Sequence, residues 1–152
     1  MLILKPVISL EEVEILRTVR NECRTFMTRH QEFITPEQQQ EWFTTAPYKY
    51  KIFLVYRNYY GTIFDLAGFG LVLKNEQDNM VTGGLLSAYR DRGLGKELFK
   101  LLISHCDPEK PLKLELLKSN IRALKTYEQL GFVKTSEDNN LIYMELNRDS
   151  FI

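Results

Sequence analysis

Residues able to do chemistry gather in two stretches of the chain. In the first, Arg90-x-x-Gly93-x-Gly95 runs into Lys96 and follows the apolar segment Gly84-Leu85-Leu86-Ser87-Ala88. Glycine lets backbone N–H groups come close to a ligand and permits positive φ. Leu94, Leu98, Leu101 and Leu102 recur at i, i+4, i+7 and i+8, which predicts an amphipathic helix starting at this turn. The first turn of a helix carries free N–H donors and a positive dipole end. With Arg90, Arg92 and Lys96 around it, the turn has the makings of a phosphate or pyrophosphate cradle. An ordinary strand–helix turn with solvated basic residues would use the same letters. A Walker A loop is excluded, because Glu97 follows Gly95-Lys96 and Arg90 stands at the first glycine. The dinucleotide fingerprint fails too, with Leu98 in place of its third glycine. In the second stretch, Asn120, Ala123 and Tyr127 stand at i, i+3 and i+7 and share one helix face. A small residue between two polar ones suits a groove in which something lies flat. An N-cap, a filler and an amphipathic edge residue explain the three equally well.

Taken together and in this order, the two stretches resemble the GCN5-related N-acetyltransferase family. Its members carry Arg/Gln-x-x-Gly-x-Gly/Ala, then Asn-x-x-Ala-x-x-x-Tyr on a helix followed by Gly-Phe, here Gly131-Phe132. The resemblance covers roughly residues 50–147, and the N-terminal third only by its helix–helix layout. It implies a mixed, mostly antiparallel α/β (α+β) sheet of roughly six to seven strands with a central splayed parallel pair, flanked by about four helices. It also implies an acyl-CoA-dependent N-acyltransferase that moves the acetyl group of acetyl-CoA directly to a primary amine. On this reading Arg90, Asp91, Arg92, Gly93, Leu94, Gly95 and Lys96 grip the pyrophosphate. Gly84, Leu85, Leu86 and Ser87 pair with the pantetheine arm, joined by Asn120 and Ala123, and the amide near Leu85 polarises the thioester carbonyl. Tyr127 is then the general acid for the leaving thiolate. Glu115, in Leu114-Glu115-Leu116, is similar to the glutamate of ribosomal-protein N-terminal acetyltransferases and becomes the candidate base. As a plain strand carboxylate it would instead pair with Lys113 or Lys134. The family's Val-x-Pro before the loop is replaced by Leu85-Leu86-Ser87-Ala88, which removes no ligand group.

The elements that must position these residues follow from caps and periods. Ser9-Leu10-Glu11-Glu12 and Thr35-Pro36-Glu37-Gln38 are capping boxes. The first opens a helix with Val13, Leu16, Val19 and Cys23 on one face, and the second a short helix from about Pro36 to Thr44. Strands are predicted at Leu2–Ile8 (an edge, given Pro6), Lys51–Tyr56, Ile63–Leu73 and Met80–Ser87, with a hairpin loop at 57–61. Gly68 and Gly70 inside the third mark a bulge or a close backbone approach. After the helix 94–105, Leu112–Leu117 reads as a buried strand. A second crossover helix ends at Gly131, before a hairpin of Phe132–Thr135 and Leu141–Leu146.

At 152 residues, 44% hydrophobic and 26% charged, the chain is expected to be a single domain spanning 1–152. Lys+Arg and Asp+Glu are 20 each, so no broad electrostatic footprint favours nucleic acid, and no partner of that kind is expected. There is no apolar run of about 20 residues, no signal-peptide pattern and no Cys/His cluster. A cytoplasmic protein with reduced cysteines, no metal and no membrane partner is expected, homodimerisation being left open. The irregular segment Arg24–Ile34, with Met27, Arg29, His30 and Phe33, is the candidate acceptor region. Arg20, Asn21, Met27, His30 and Trp42 are its candidate substrate residues, faintly similar to acetyltransferases acting on amino-sugar nucleotides. The amine could belong to a small metabolite, an amino sugar or a peptide N-terminus. Two rivals stand beside this reading. One is a catalytically silent CoA-binding regulator, against which Tyr127 speaks. The other is a nucleic-acid or protein-binding module using Arg90, Arg92, Lys96 and Lys100, against which the balanced charge speaks.

Overall fold

Both capping boxes form. Ser9 accepts from the amide of Glu12 while the Glu12 carboxylate accepts from the amide of Ser9, and helix α1 runs from Leu10 to Cys23. Thr35 and Gln38 exchange the same pair of bonds at the start of α2, Pro36–Lys49. That helix continues five residues past the expected end at Thr44. Pro47 sits in its last turn, where a missing N–H removes only one bond from the ladder. The computed structural model describes residues 1–29, 31–59, 61 and 64–146; His30, Tyr60 and Ile63 lie outside them.

The remaining strands and α-helices are β1 (Leu2–Pro6), β2 (Tyr50–Asn58), β3 (Phe64–Lys74), β4 (Asn79–Leu85), α3 (Leu94–Ser104), β5 (Leu112–Leu117), α4 (Ile121–Gln129), β6 (Phe132–Glu137) and β7 (Leu141–Leu146), with short 3-10 turns at Arg24–Phe26 and Ser87–Tyr89. The strands form one seven-stranded sheet in the order β1-β2-β3-β4-β5-β7-β6. Every neighbouring pair is antiparallel except β4–β5. The hairpin partner β7 inserts between β5 and β6, so β6 becomes an edge, and five of its six residues are exposed.

Two apolar layers cover the sheet. On one face α1 and α2 bury Val13, Leu16, Val19 and Cys23 against Leu54 and Phe69. On the other, α3 and α4 bury Leu98, Leu102, Tyr127 and Leu130 against β4, β5 and β7. Fully burying a leucine such as Leu102 contributes about 2–3 kcal/mol of transfer free energy. The expectation at Gly68 holds in both senses. The β2–β3 register slips by one residue at Ala67, and a Cβ on Gly68 would lie 2.1 Å from the carbonyl oxygen of Gly84.

The parallel pair determines where a ligand can enter. β4 and β5 are in register only at Asn79–Leu112 and Met80–Lys113. Asn79 clamps that end, being 2% exposed, with its side-chain amide donating to the Asp107 carbonyl and its backbone N–H to that of Pro111. Beyond Met80 the two strands diverge, and no ladder bond closes the gap.

Candidate functional site

The gap between the diverging strands is a cleft of about 430 Å³. Thr82, Gly83, Gly84 and Leu85 line one side of it, and Glu115 and Leu116 the other. Tyr127 projects into it from α4, its ring held edge-on against Phe99 (centroids 4.9 Å apart) and Phe132 (6.0 Å). Burial pushes the phenol well above its ordinary pKa, so it stays protonated. Asn120 lines the same cleft but also caps α4, its Oδ1 accepting from the Ala123 amide at 3.2 Å. Cap and groove-liner, set against each other in the sequence, are therefore one residue.

At the mouth, Gly93 is the N-cap of α3 with φ 75°, and no side chain among the described residues caps the helix. Asp91 also has positive φ and forms a 2.7 Å ion pair with Arg122, a cation contributed by the second crossover. Gly93, Gly95 and Lys96 line the cleft, and a Cβ on either glycine would meet nothing within 4 Å. An uncapped helix start beside Lys96 and Arg122 fits an anionic diphosphate.

Arg90 lines the cleft, whereas Leu86, Ser87, Arg92 and Leu94 do not. The guanidinium of Arg90 turns inward, donating to the Leu85 carbonyl at 2.9 Å and stacking over Phe26. Arg92 is exposed outside the cleft, and Leu94 is buried in the α3 core. The Ser87 amide donates to Glu22, and that of Leu86 donates to the Ala67 carbonyl. β4 ends at Leu85, which shortens the strand edge facing the cleft to Thr82–Leu85.

A second cavity, of about 400 Å³, lies on the α1/α2 side of the sheet. Met27, Thr28, Thr82 and Glu115 line both, so the two cavities share a wall. Of the candidate substrate residues, Arg20, Met27 and Trp42 line this cavity. Asn21 does not: it is buried, bonding both the N–H and the C=O of Ile34 and pinning the α1–α2 connection. His30 is outside the described residues. Glu115 pairs with neither lysine considered for it. Arg29 takes it in a two-pronged contact, Nε–Oε1 2.6 Å and Nη2–Oε2 3.2 Å, with the Thr28 hydroxyl adding a third bond. Lys113 pairs instead with Asp78, and Lys134 with Glu137. The pairing with Glu115 raises the Arg29 pKa further.

Sequence reasoning missed most of the second cavity. Phe69, Leu71 and Leu73, alternate residues of β3, form its floor. Their period of two was readable, but not which face would be left uncovered. Arg29 and Glu115 are 86 residues apart, and nothing local joins them.

The family described as Acetyltransferase (GNAT) domain matches residues 20–141. No curated protein matches the chain by sequence. Among solved structures, a domain from Methanocaldococcus jannaschii superposes with TM-score 0.83 at 18% identity, covering 97% of this chain and 98% of that one. Spermidine N-acetyltransferase from Vibrio cholerae, in complex with CoA and spermine, gives 0.79 at 13% identity, with 97% and 96% covered. An aminoglycoside acetyltransferase in complex with coenzyme A and kanamycin gives 0.73 at 18% identity, with 98% and 96% covered.

Proposed function

Because the chain belongs to the GNAT acetyltransferase family, we propose that it moves the acetyl group of acetyl-CoA to a primary amine held in the second cavity. One observation carries the proposal: a protonated phenol, Tyr127, and a carboxylate, Glu115, line a single slot between diverging strands, and that slot adjoins a second cavity. Acetyl-CoA, as co-substrate, supplies the acetyl thioester. The α3 start at Gly93 and Gly95, with Lys96 and Arg122, holds the diphosphate, while Thr82–Leu85 and Asn120 flank the arm that reaches inward. Tyr127 gives its proton to the sulfur as the C–S bond breaks. Glu115 takes the proton that the amine sheds as the new C–N bond forms. A carboxylate offers about four acceptor sites. Arg29 and Thr28 occupy three on Glu115, leaving one on Oε2.

The test is CoA binding by calorimetry, followed by release of free thiol from acetyl-CoA across a panel of amines. Binding with amine-dependent thiol release is expected. No binding at millimolar CoA would remove the proposal. Binding with no turnover of any amine would leave only a silent CoA-binding module.

A further inference from the structure

The second cavity holds more positive charge than its apolar walls need. Its ionic residues are Arg20, Arg29 and Glu115. Arg29 and Glu115 neutralise each other, which leaves Arg20. Arg20 comes from α1 and lies over the Trp42 ring, 4.7 Å from its centroid, with Nη1 donating to Gln39 Oε1 at 2.9 Å. No carboxylate among the described residues pairs with it, whereas Arg17 one turn earlier has Glu14. Gln39 is 1% exposed, so its acceptor is fixed in place and holds the guanidinium at the cavity wall. Around these groups the cavity is lined by Met27, Ile34, Trp42, Phe69, Leu71 and Met80. A half-buried guanidinium is costly without an anion, and its planar fork matches a carboxylate.

We infer that the acceptor is an amine carrying a carboxylate on an apolar body, the chemistry of an apolar amino acid, with Arg20 as its carboxylate receptor. The inference rests on the acetyltransferase reading and narrows its substrate class. The acceptor's nitrogen would face Glu115 and its carboxylate Arg20, with the side chain against Trp42 and Phe69. A polycationic amine would instead bring a second ammonium against Arg20 in an apolar enclosure, which like-charge repulsion opposes.

The test measures kcat/KM for free leucine, methionine, phenylalanine and tryptophan. Beside them run their methyl esters, which keep the amine and body but lose the charge, and spermidine and kanamycin. At least one free acid should exceed its ester by about tenfold to a hundredfold, the range for losing a hydrogen bond to a charged group. In Arg20→Gln that acid-to-ester ratio should fall to near one, while Arg20→Lys should restore part of it. A thermal melt without ligand checks that each variant folds. Esters used as well as acids, a polyamine or aminoglycoside as the best acceptor, or an unchanged ratio in a folded Arg20→Gln would each overturn the inference. CoA binding separates the two levels: lost in the wild type, it removes the acetyltransferase reading as well, and retained, it confines the failure to the acceptor.

Discussion

At Tyr127 core packing and the proposed acid role fall on one side chain. The ring is part of the α3/α4 core, and the hydroxyl, which bonds no described residue, is at the cleft. Tyr127→Phe keeps the ring contacts and removes only a hydroxyl that bonds no described residue, so stability should change by less than about 1 kcal/mol, the worth of a typical hydrogen bond. Turnover should fall about a hundredfold, the size of a positioned general acid, with CoA affinity little changed. Full turnover at saturating substrates would end the acid role. Since burial raises this phenol's pKa, it remains a proton donor throughout the neutral and mildly alkaline range. Glu115 shows how a candidate site residue can be legible in type and opaque in partner. Its place on a strand beside the motif was readable, but its grip by Arg29 was not, because only the folded α1–α2 connection brings residue 29 to β5.

At the scale of elements, the start of α3 rests on a left-handed residue. Gly93 has φ 75°, a conformation that costs a β-branched residue on the order of 1–2 kcal/mol or more. Gly93→Val should therefore raise the CoA dissociation constant at least about tenfold, with a smaller effect on turnover at saturation. Titration calorimetry reads the first quantity and thiol release the second. The α1 cap makes a prediction in pH. Bonds from Lys5, the amides of Ile8 and Ser9 and the Ser9 hydroxyl hold the Glu12 carboxyl down at about 2. A carboxylate whose folded pKa is depressed stabilises the fold above its unfolded pKa and loses that contribution as pH falls. Denaturant midpoints should therefore drop between about pH 5 and pH 2. Glu12→Gln should cost about 1 kcal/mol at pH 7 and flatten that part of the profile. A profile identical to wild type would dismiss the cap as a contributor.

At the scale of the molecule, a ligand lying between β4 and β5 bridges two halves of the sheet that are in register only at 79–80 and 112–113. Binding to the folded state alone stabilises it by about 2.7 kcal/mol at a hundredfold excess over Kd. For a chain of 152 residues that corresponds to a rise in Tm of about 5–10 °C with acetyl-CoA. A DNA or RNA oligonucleotide should give none, since the net charge is zero. A larger shift with the oligonucleotide would return the binding-module reading.

Much of this architecture is written locally. The capping boxes at Ser9 and Thr35, the leucine stripe of 94–102, the strand Leu112–Leu117 with Leu112, Leu114 and Leu116 buried, and the positive-φ glycines 93 and 131 all act within a few residues of themselves. Short-range sterics, hydrogen bonds and periodicity suffice to specify them, so both motifs could be placed on their helices from the letters alone. What required the tertiary structure were pairings across long separations: β7 between β5 and β6, Arg29 on Glu115, Arg90 turned to the Leu85 carbonyl, and the β3 floor beneath Arg20. Which side chains meet there depends on strand order and on where the parallel pair parts. Those are outcomes of the whole sheet's packing, and no local pattern encodes them.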